Sequence, residues 1–323
     1  MRGTSRGNTE EMSSDSFSQR TLREPVSCQG VGLHSGKTVN LTIRPAAADQ
    51  GIVFVRTDLP TPLAIPARAE HVVDTSLATT LGKGAVRVGT VEHLLAALTG
   101  LGVDNARIEL DGPEVPIMDG SAAPFAYLLH SGGIRVLDAP KSFLVLRRPV
   151  SVVDGDKEAA LVPSDRFRIS CTIDFKHPLI SDQSYEMDFS DRAFAREISR
   201  ARTFGFLRDV ERLKKMGLAL GGSLENAIVV DEFSILNKDG LRFPDEFVRH
   251  KVLDAMGDVS LFGRPVIGHL KAFKTGHALN QKLVQSVLAD PANFAIVSAQ
   301  KRDVERLALR LPDLSGILEP LVA

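Results

Sequence analysis

At 323 residues the chain is long enough for about two domains, each able to bury its own core. With 43% apolar and 24% charged residues, 26 Gly and 17 Pro, it has the composition of an ordinary globular protein, which excludes collagen-like or broadly disordered material. A net charge of −1 leaves no basic field for a polynucleotide, so no nucleic-acid partner is expected. Two cysteines, Cys28 and Cys171, stand far apart outside any CxxC spacing and exclude a disulfide framework or a thiolate zinc site. Any metal must fall to carboxylates and the eight histidines.

Residues 1–18 are rich in Ser, Gly, Thr and charge and are expected to form a disordered tail. They hold no apolar h-region or cleavage site, so the chain is expected in the cytoplasm. No window reaches the roughly 20 apolar residues of a membrane span. From Val39 the alternation Val39, Leu41, Ile43 predicts a strand, and Ile52 to Val55 a second. At Thr90, a candidate cap, the period becomes helical through Val91, Leu94, Leu95, Leu98 and Leu101, which puts Glu92 and His93 in a first turn. Ala106, Ile108 and Leu110 predict another strand, and a helix from about Ser121 closes this half at Gly132-Gly133. Asp138-Ala139-Pro140 has the composition of a linker, which sets domains at 19–137 and 141–310.

The second half opens with Phe143 and Val145, then alternates cleanly at Phe167, Ile169, Cys171, Ile173 and Phe175. Helices are predicted over about Ser190 to Arg200, through Leu207, Val210, Leu213 and Met216 as far as Gly217, from near Pro244, and after Thr275-Gly276. Each half thus gives strands followed by helices, which argues for α+β over a doubly wound parallel sheet. No internal repeat is visible.

In the helix from Pro244, His250, Asp254 and Asp258 recur at i, i+4 and i+8 and share one face, with Val248, Val252, Ala255, Met256 and Val259 on the other side. Such a face suits a surface helix or supplies imidazole and carboxylate ligands to zinc. Glu92 beside His93 fits either an acidic first turn or a base beside a ligand. His277 begins another helix, where a carboxylate such as Asp258 would be needed to support a protonated imidazole.

These segments occur in a diagnostic order: Gly30-Val31-Gly32-Leu33-His34-Ser35-Gly36, Thr90-Val91-Glu92-His93-Leu94, Pro116-Ile117-Met118-Asp119-Gly120-Ser121-Ala122, Arg202-Thr203-Phe204-Gly205-Phe206, Arg249-His250-Lys251 through Asp254 to Gly257-Asp258, and Thr275-Gly276-His277. From about Gln19 to Leu288 the series resembles the UDP-3-O-acyl-N-acetylglucosamine deacetylases of lipid A biosynthesis. The resemblance implies one Zn²⁺ per chain held by His93, His250 and Asp254, with Glu92 as general base, His277 as acid and Asp258 as its support. It implies that Thr203 helps hold the oxyanion and that Lys251 positions substrate or stabilises charge. Phe204 and Phe175 are implied substrate contacts, Phe175 against uracil. A hydrophobic passage over 205–229 is expected to take the acyl chain, lined by Leu207, Val210, Ala219, Ser223 and Leu224; Leu207, Val210 and Leu213 fit the core side of a short amphipathic helix equally well.

Two domains are expected face to face across this site, in a monomer that acts on a UDP-linked acylated N-acetylglucosamine and associates peripherally with the inner membrane. Two other readings stay open: a zinc deacetylase of another N-acetylated sugar nucleotide, and a non-enzymatic sugar-nucleotide-binding regulator. His34 is placed near the site without a role, and His71, His130, His177 and His269 are expected to be structural.

Overall fold

The computed structural model describes residues 17–318, so most of the segment read as a tail lies outside the described residues. Phe17 packs on a small apolar cluster around Phe143 and Ile267, and Ser18 already opens strand β1 (Ser18–Leu22). The chain continues through β2 (Val26–Val31), β3 (Thr38–Pro45), β4 (Ile52–Arg56) and β5 (Leu63–Pro66). A small sheet follows, made of β6 (Val72–Asp74), β7 (Thr80–Lys83) and β8 (Val86–Val88). Then come α1 (Glu92–Gly100), β9 (Ala106–Leu110), α2 (Ala123–Ser131) and β10 (Ile134–Pro140).

The main sheet of this half has the order β2-β3-β9-β4-β5, and only β4 and β9 run parallel in it. Its register sets Leu41 against Leu110 and Ile43 against Ile108, all buried, as the alternation in both strands requires. Beyond Glu92 and His93, α1 is mostly apolar on every side and is buried almost throughout, which makes it a core element. Thr90 is not its cap. The residue takes a left-handed φ of 54°, Val91 occupies the cap position, and the Thr90 hydroxyl donates to Glu114 Oε1 at 2.9 Å. Nor is Asp138-Ala139-Pro140 a free linker: it completes β10, which pairs antiparallel with β1 through Leu22 and Ile134 and gives the first strand's backbone its partners.

The second half comprises β11 (Ser142–Leu146), β12 (Val150–Asp154), β13 (Lys157–Val162), β14 (Phe167–Ile173), β15 (Gln183–Asp188) and the short α3 (Asp191–Ala193), capped by Ser190 and continued by a π turn over Phe194–Ile198. After these come β16 (Phe204–Phe206), α4 (Leu207–Lys215), β17 (Ile228–Val230), α5 (Glu246–Val259), β18 (Val266–Phe273), α6 (His277–Leu288), β19 (Phe294–Ser298) and α7 (Lys301–Arg306). β18 is the hub of a mixed seven-stranded sheet, parallel to β11 and β14 and antiparallel to β13. Mixed sheets in both halves make the fold α+β.

One apolar cluster runs unbroken from Leu22 and Leu41 to Val284 and Val287, so the two halves share a core. α1 and α5 pack against each other within it. They approach so closely that a Cβ on Gly257 would collide with the backbone carbonyl of Glu92, and glycine there lets the two helices touch. The face of α5 that bears His250, Asp254 and Asp258 is therefore buried, at 2%, 3% and 1% exposure, and does not meet solvent. Among the described residues no helix is long and apolar enough to cross a membrane.

Candidate active site

Three helices bring the expected chemistry together. The first turn of α1 supplies Glu92 and His93, one face of α5 supplies His250, Asp254 and Asp258, and α6 begins at His277, directly beyond β18 and a left-handed Lys274. His93, His250 and Asp254 each offer one donor atom within 4.8 Å of the others. The Nε2 atoms of His93 and His250 lie 3.6 and 3.3 Å from Asp254 Oδ1. His250 Nδ1 donates to the Ala201 carbonyl at 3.0 Å, which leaves Nε2 as the base. Burial pushes the His250 pKa down to about 4, so the ring is neutral at pH 7. Burial works to raise the Asp254 pKa, but its interactions with His250 and the Lys251 ammonium outweigh it and hold the carboxyl well below its ordinary range. Lys251 Nζ takes Asp254 Oδ2 at 2.6 Å, whereas Oδ1 is buried with no hydrogen-bond partner. An orphaned carboxylate oxygen facing two imidazole nitrogens is costly unless a cation completes it, and this nitrogen and oxygen set fits a metal such as zinc.

Beside this cluster lies an acid-base group. His277 Nε2 is 3.6 Å from Glu92 Oε1, and its Nδ1 is 3.0 Å from Asp258 Oδ2. Burial alone would lower the His277 pKa, but the Asp258 and Glu92 carboxylates outweigh it and raise it to about 9. Burial also raises the pKa of Glu92, against the pull of His277 and His93. The structure adds two residues that sequence reasoning missed. Thr79 donates from its backbone N–H to Glu92 Oε2 at 3.0 Å and from its hydroxyl to Asp258 Oδ1 at 2.6 Å, and Asn280 donates to Asp258 Oδ2 at 2.8 Å. Asn280 stands three residues after His277, a helical spacing that offered a signal; Thr79 offered none.

The other expected contacts lie around this centre. Thr203 is fixed by its backbone, donating to Gly120 O and accepting from Ile228 N, both at 2.8 Å, two residues beyond the carbonyl that orients His250. The Phe204 ring is 6.3 Å from that of His250 and 5.6 Å from that of Phe175, so Phe175 belongs to an aromatic group that also includes Phe206. No residue of α4 is buried: Leu207 is 44% exposed, and Val210 and Leu213 are half-buried. Leu224 is 49% exposed, Ser223 exposed and Ala219 half-buried. The apolar stripe of α4 is not packed away as core.

Glu114, also missed, accepts the backbone N–H groups of His34 and Ser35 and so shapes the glycine loop, which in turn receives Leu220 N and Gly221 N. Burial pushes the His34 pKa down, against the charges of Glu114 and Asp74. His177 and His269 make hydrogen bonds of 2.7 Å to Asp231 O and Ser170 Oγ, His71 lies in a short 3-10 turn, and His130 sits in the last turn of α2.

A buried two-histidine, one-aspartate donor set beside a carboxylate and an ion-paired imidazole defines the class of metal-dependent hydrolases. The chain belongs to the LpxC family, UDP-3-O-acyl N-acetylglycosamine deacetylase, whose family model matches residues 19–289. A Myxococcus xanthus (strain DK1622) protein named UDP-3-O-acyl-N-acetylglucosamine deacetylase is 69% identical over 97% of this chain and 100% of its own length. Proteins of the same name from Anaeromyxobacter dehalogenans (strain 2CP-C) and Hahella chejuensis (strain KCTC 2396) are 59% and 55% identical, over 93% and 87% of this chain and 97% and 93% of their own.

Proposed function

We propose that the chain hydrolyses the N-acetyl group of UDP-3-O-(3-hydroxyacyl)-N-acetylglucosamine, giving acetate and a free amine, as the deacetylation step of lipid A biosynthesis. The observation that carries this reading is the pairing of the His93, His250 and Asp254 donor set with Glu92 and His277, held 3.6 Å apart. His93, His250 and Asp254 would hold zinc, which supplies Lewis-acid polarisation of the acetamide carbonyl and of the attacking water. Glu92 Oε1 takes the proton from that water, because Oε2 is committed to the Thr79 N–H. Water oxygen adds to the acetyl carbon, and the Thr203 hydroxyl donates to the oxyanion that develops. His277, protonated at neutral pH, passes the Nε2 proton to the glucosamine nitrogen as the C–N bond breaks, while Nδ1 stays on Asp258. Lys251 holds Asp254 and positions substrate.

Residues 205–229, with Leu207, Val210, Ala219, Ser223 and Leu224 as lining, take the acyl chain, and Phe204 and Phe175 contact the substrate, Phe175 at the uracil. The apolar stripe that α4 leaves unburied supports a lipid-bearing substrate over a simple N-acetyl sugar nucleotide. The enzyme acts as a cytoplasmic monomer at the membrane's inner face, with 19–137 and 141–310 as domains across the site. Metal analysis of purified protein, combined with acetate release from the acylated substrate before and after chelation, tests this reading. Full zinc content and full rate in His93→Ala or His250→Ala protein would sink it, and equal rates on a substrate lacking the acyl chain would remove the passage.

A further inference from the structure

We propose that Thr79 is a positioning residue that locks the general base and the carboxylate behind the general acid into one register. The proposal rests on the reading of Glu92 as base and His277 as acid. Thr79 stands immediately before β7, at 2% exposure, and spends each of its polar groups on a different part of the site. Its carbonyl accepts the N–H of Val91, the cap of α1, at 3.2 Å. Its own N–H donates to Glu92 Oε2 at 3.0 Å. Its hydroxyl alone reaches across to α5, donating to Asp258 Oδ1 at 2.6 Å. A single residue just ahead of β7 therefore ties the first turn of α1 to the last turn of α5.

The consequence is geometric. With Oε2 taken, Glu92 presents Oε1 to His277 Nε2 at 3.6 Å. With Oδ1 taken by Thr79 and Oδ2 by Asn280, Asp258 has no freedom to rotate away from His277 Nδ1, at 3.0 Å. Hydrogen bonds from neutral donors to a carboxylate inside a protein are charge-assisted, and losing one leaves a buried oxygen under-satisfied. The hydroxyl touches neither the metal-donor set nor Glu92, whose tie to Thr79 is made by backbone. Removing it loosens the orientation of the imidazole and leaves substrate affinity alone.

The test compares Thr79→Val, which keeps the shape and the backbone bonds, with Thr79→Ser, which keeps the hydroxyl, by kcat, KM and zinc content of the purified enzyme. Thr79→Val is expected to lower kcat by roughly 10- to 100-fold with KM and zinc content within about twofold of wild type. Thr79→Ser should keep at least about a third of kcat, and in an Asp258→Asn background the valine should cost less than about threefold, because both changes break one interaction. Wild-type kcat in Thr79→Val, a serine variant as slow as the valine one, or losses that multiply in the double variant would each overturn the proposal. If Thr79→Val proves insoluble, Thr79→Ala is read against serine in the same way. His277→Ala separates the two levels: full activity without His277 defeats the catalytic reading itself, whereas slow His277→Ala beside fast Thr79→Val defeats only the role of Thr79.

Discussion

His277 Nδ1 lies 3.0 Å from Asp258 Oδ2, in an ion pair whose aspartate is 1% exposed. The pair keeps the imidazole charged well above the pH at which a free histidine loses its proton. With the His277 pKa at about 9, the deacetylation rate should hold through neutrality and fall on a basic limb near that value. Asp258→Asn removes the main charge that opposes desolvation. It should move that limb to lower pH and cost about 10² in kcat, read from a pH-rate profile. An unmoved limb would show that another group sets it.

The same shift has a stability side. Because the folded pKa is raised from 6.5 to about 9, His277 contributes stability that is complete below about 6.5 and drains away as pH rises through about 9. Urea midpoints of wild type should therefore fall over that window more than those of His277→Gln. Parallel curves would remove the linkage.

The unpartnered Asp254 Oδ1 predicts a response to metal. Chelation should lower the rate by more than about 10², since Lewis-acid assistance is worth several kcal/mol, and zinc should restore it. Asp254→Ala should fail to recover with added zinc at concentrations that saturate the wild type. A chelated enzyme that stays fast, with its metal shown to be gone, refutes the donor set as the centre of the chemistry.

Gly257 carries the contact between α5 and the Glu92 carbonyl, so Gly257→Ala must push α1 away from α5. Overpacking of this kind costs about 1 to 3 kcal/mol, and here the displaced turn bears Glu92 and His93. A lower Tm and weaker zinc retention are expected together. A stability loss with metal binding untouched would show that the helices can part without disturbing the donors.

Lys141, 2% exposed, pairs with Asp104 at 2.9 Å. Burial lowers the lysine pKa and raises that of the aspartate, against the attraction between them. Lys141→Met strips the Asp104 carboxylate of its ammonium and leaves it only the Arg20 backbone N–H, and should destabilise by about 3 to 5 kcal/mol, whereas adding Asp104→Leu should recover most of that in denaturant titrations. An additive double variant would mean the two charges act independently.

Much of the site was legible in the chain because helical spacing is a local property. His250, Asp254 and Asp258 share a face at every fourth residue, and their ordered company with Glu92-His93 and Thr275-Gly276-His277 supplied the rest. What the spacing left open was burial, since a His/Asp face suits solvent as well as a core, and only the packing of α1 on α5 decides it. Thr79 was invisible because its role depends on the bend between β6 and β7, which carries it to the first turn of α1 and across to α5. Thr90 has the right side chain for a cap, but its backbone turns left-handed and its hydroxyl finds Glu114. Asp138-Ala139-Pro140 has linker composition, and only β1, more than a hundred residues earlier, makes it a strand. The stripe on α4 was correctly seen as apolar, while its lack of a core partner is a tertiary fact.

The packing of α1 on α5 draws the donors from the two halves of the sequence, so neither half alone carries a complete centre. During refolding, local helices form long before such distant pieces meet. Recovery of catalysis should therefore trail recovery of helical circular dichroism, and the lag between the two curves would time the closure of the shared core.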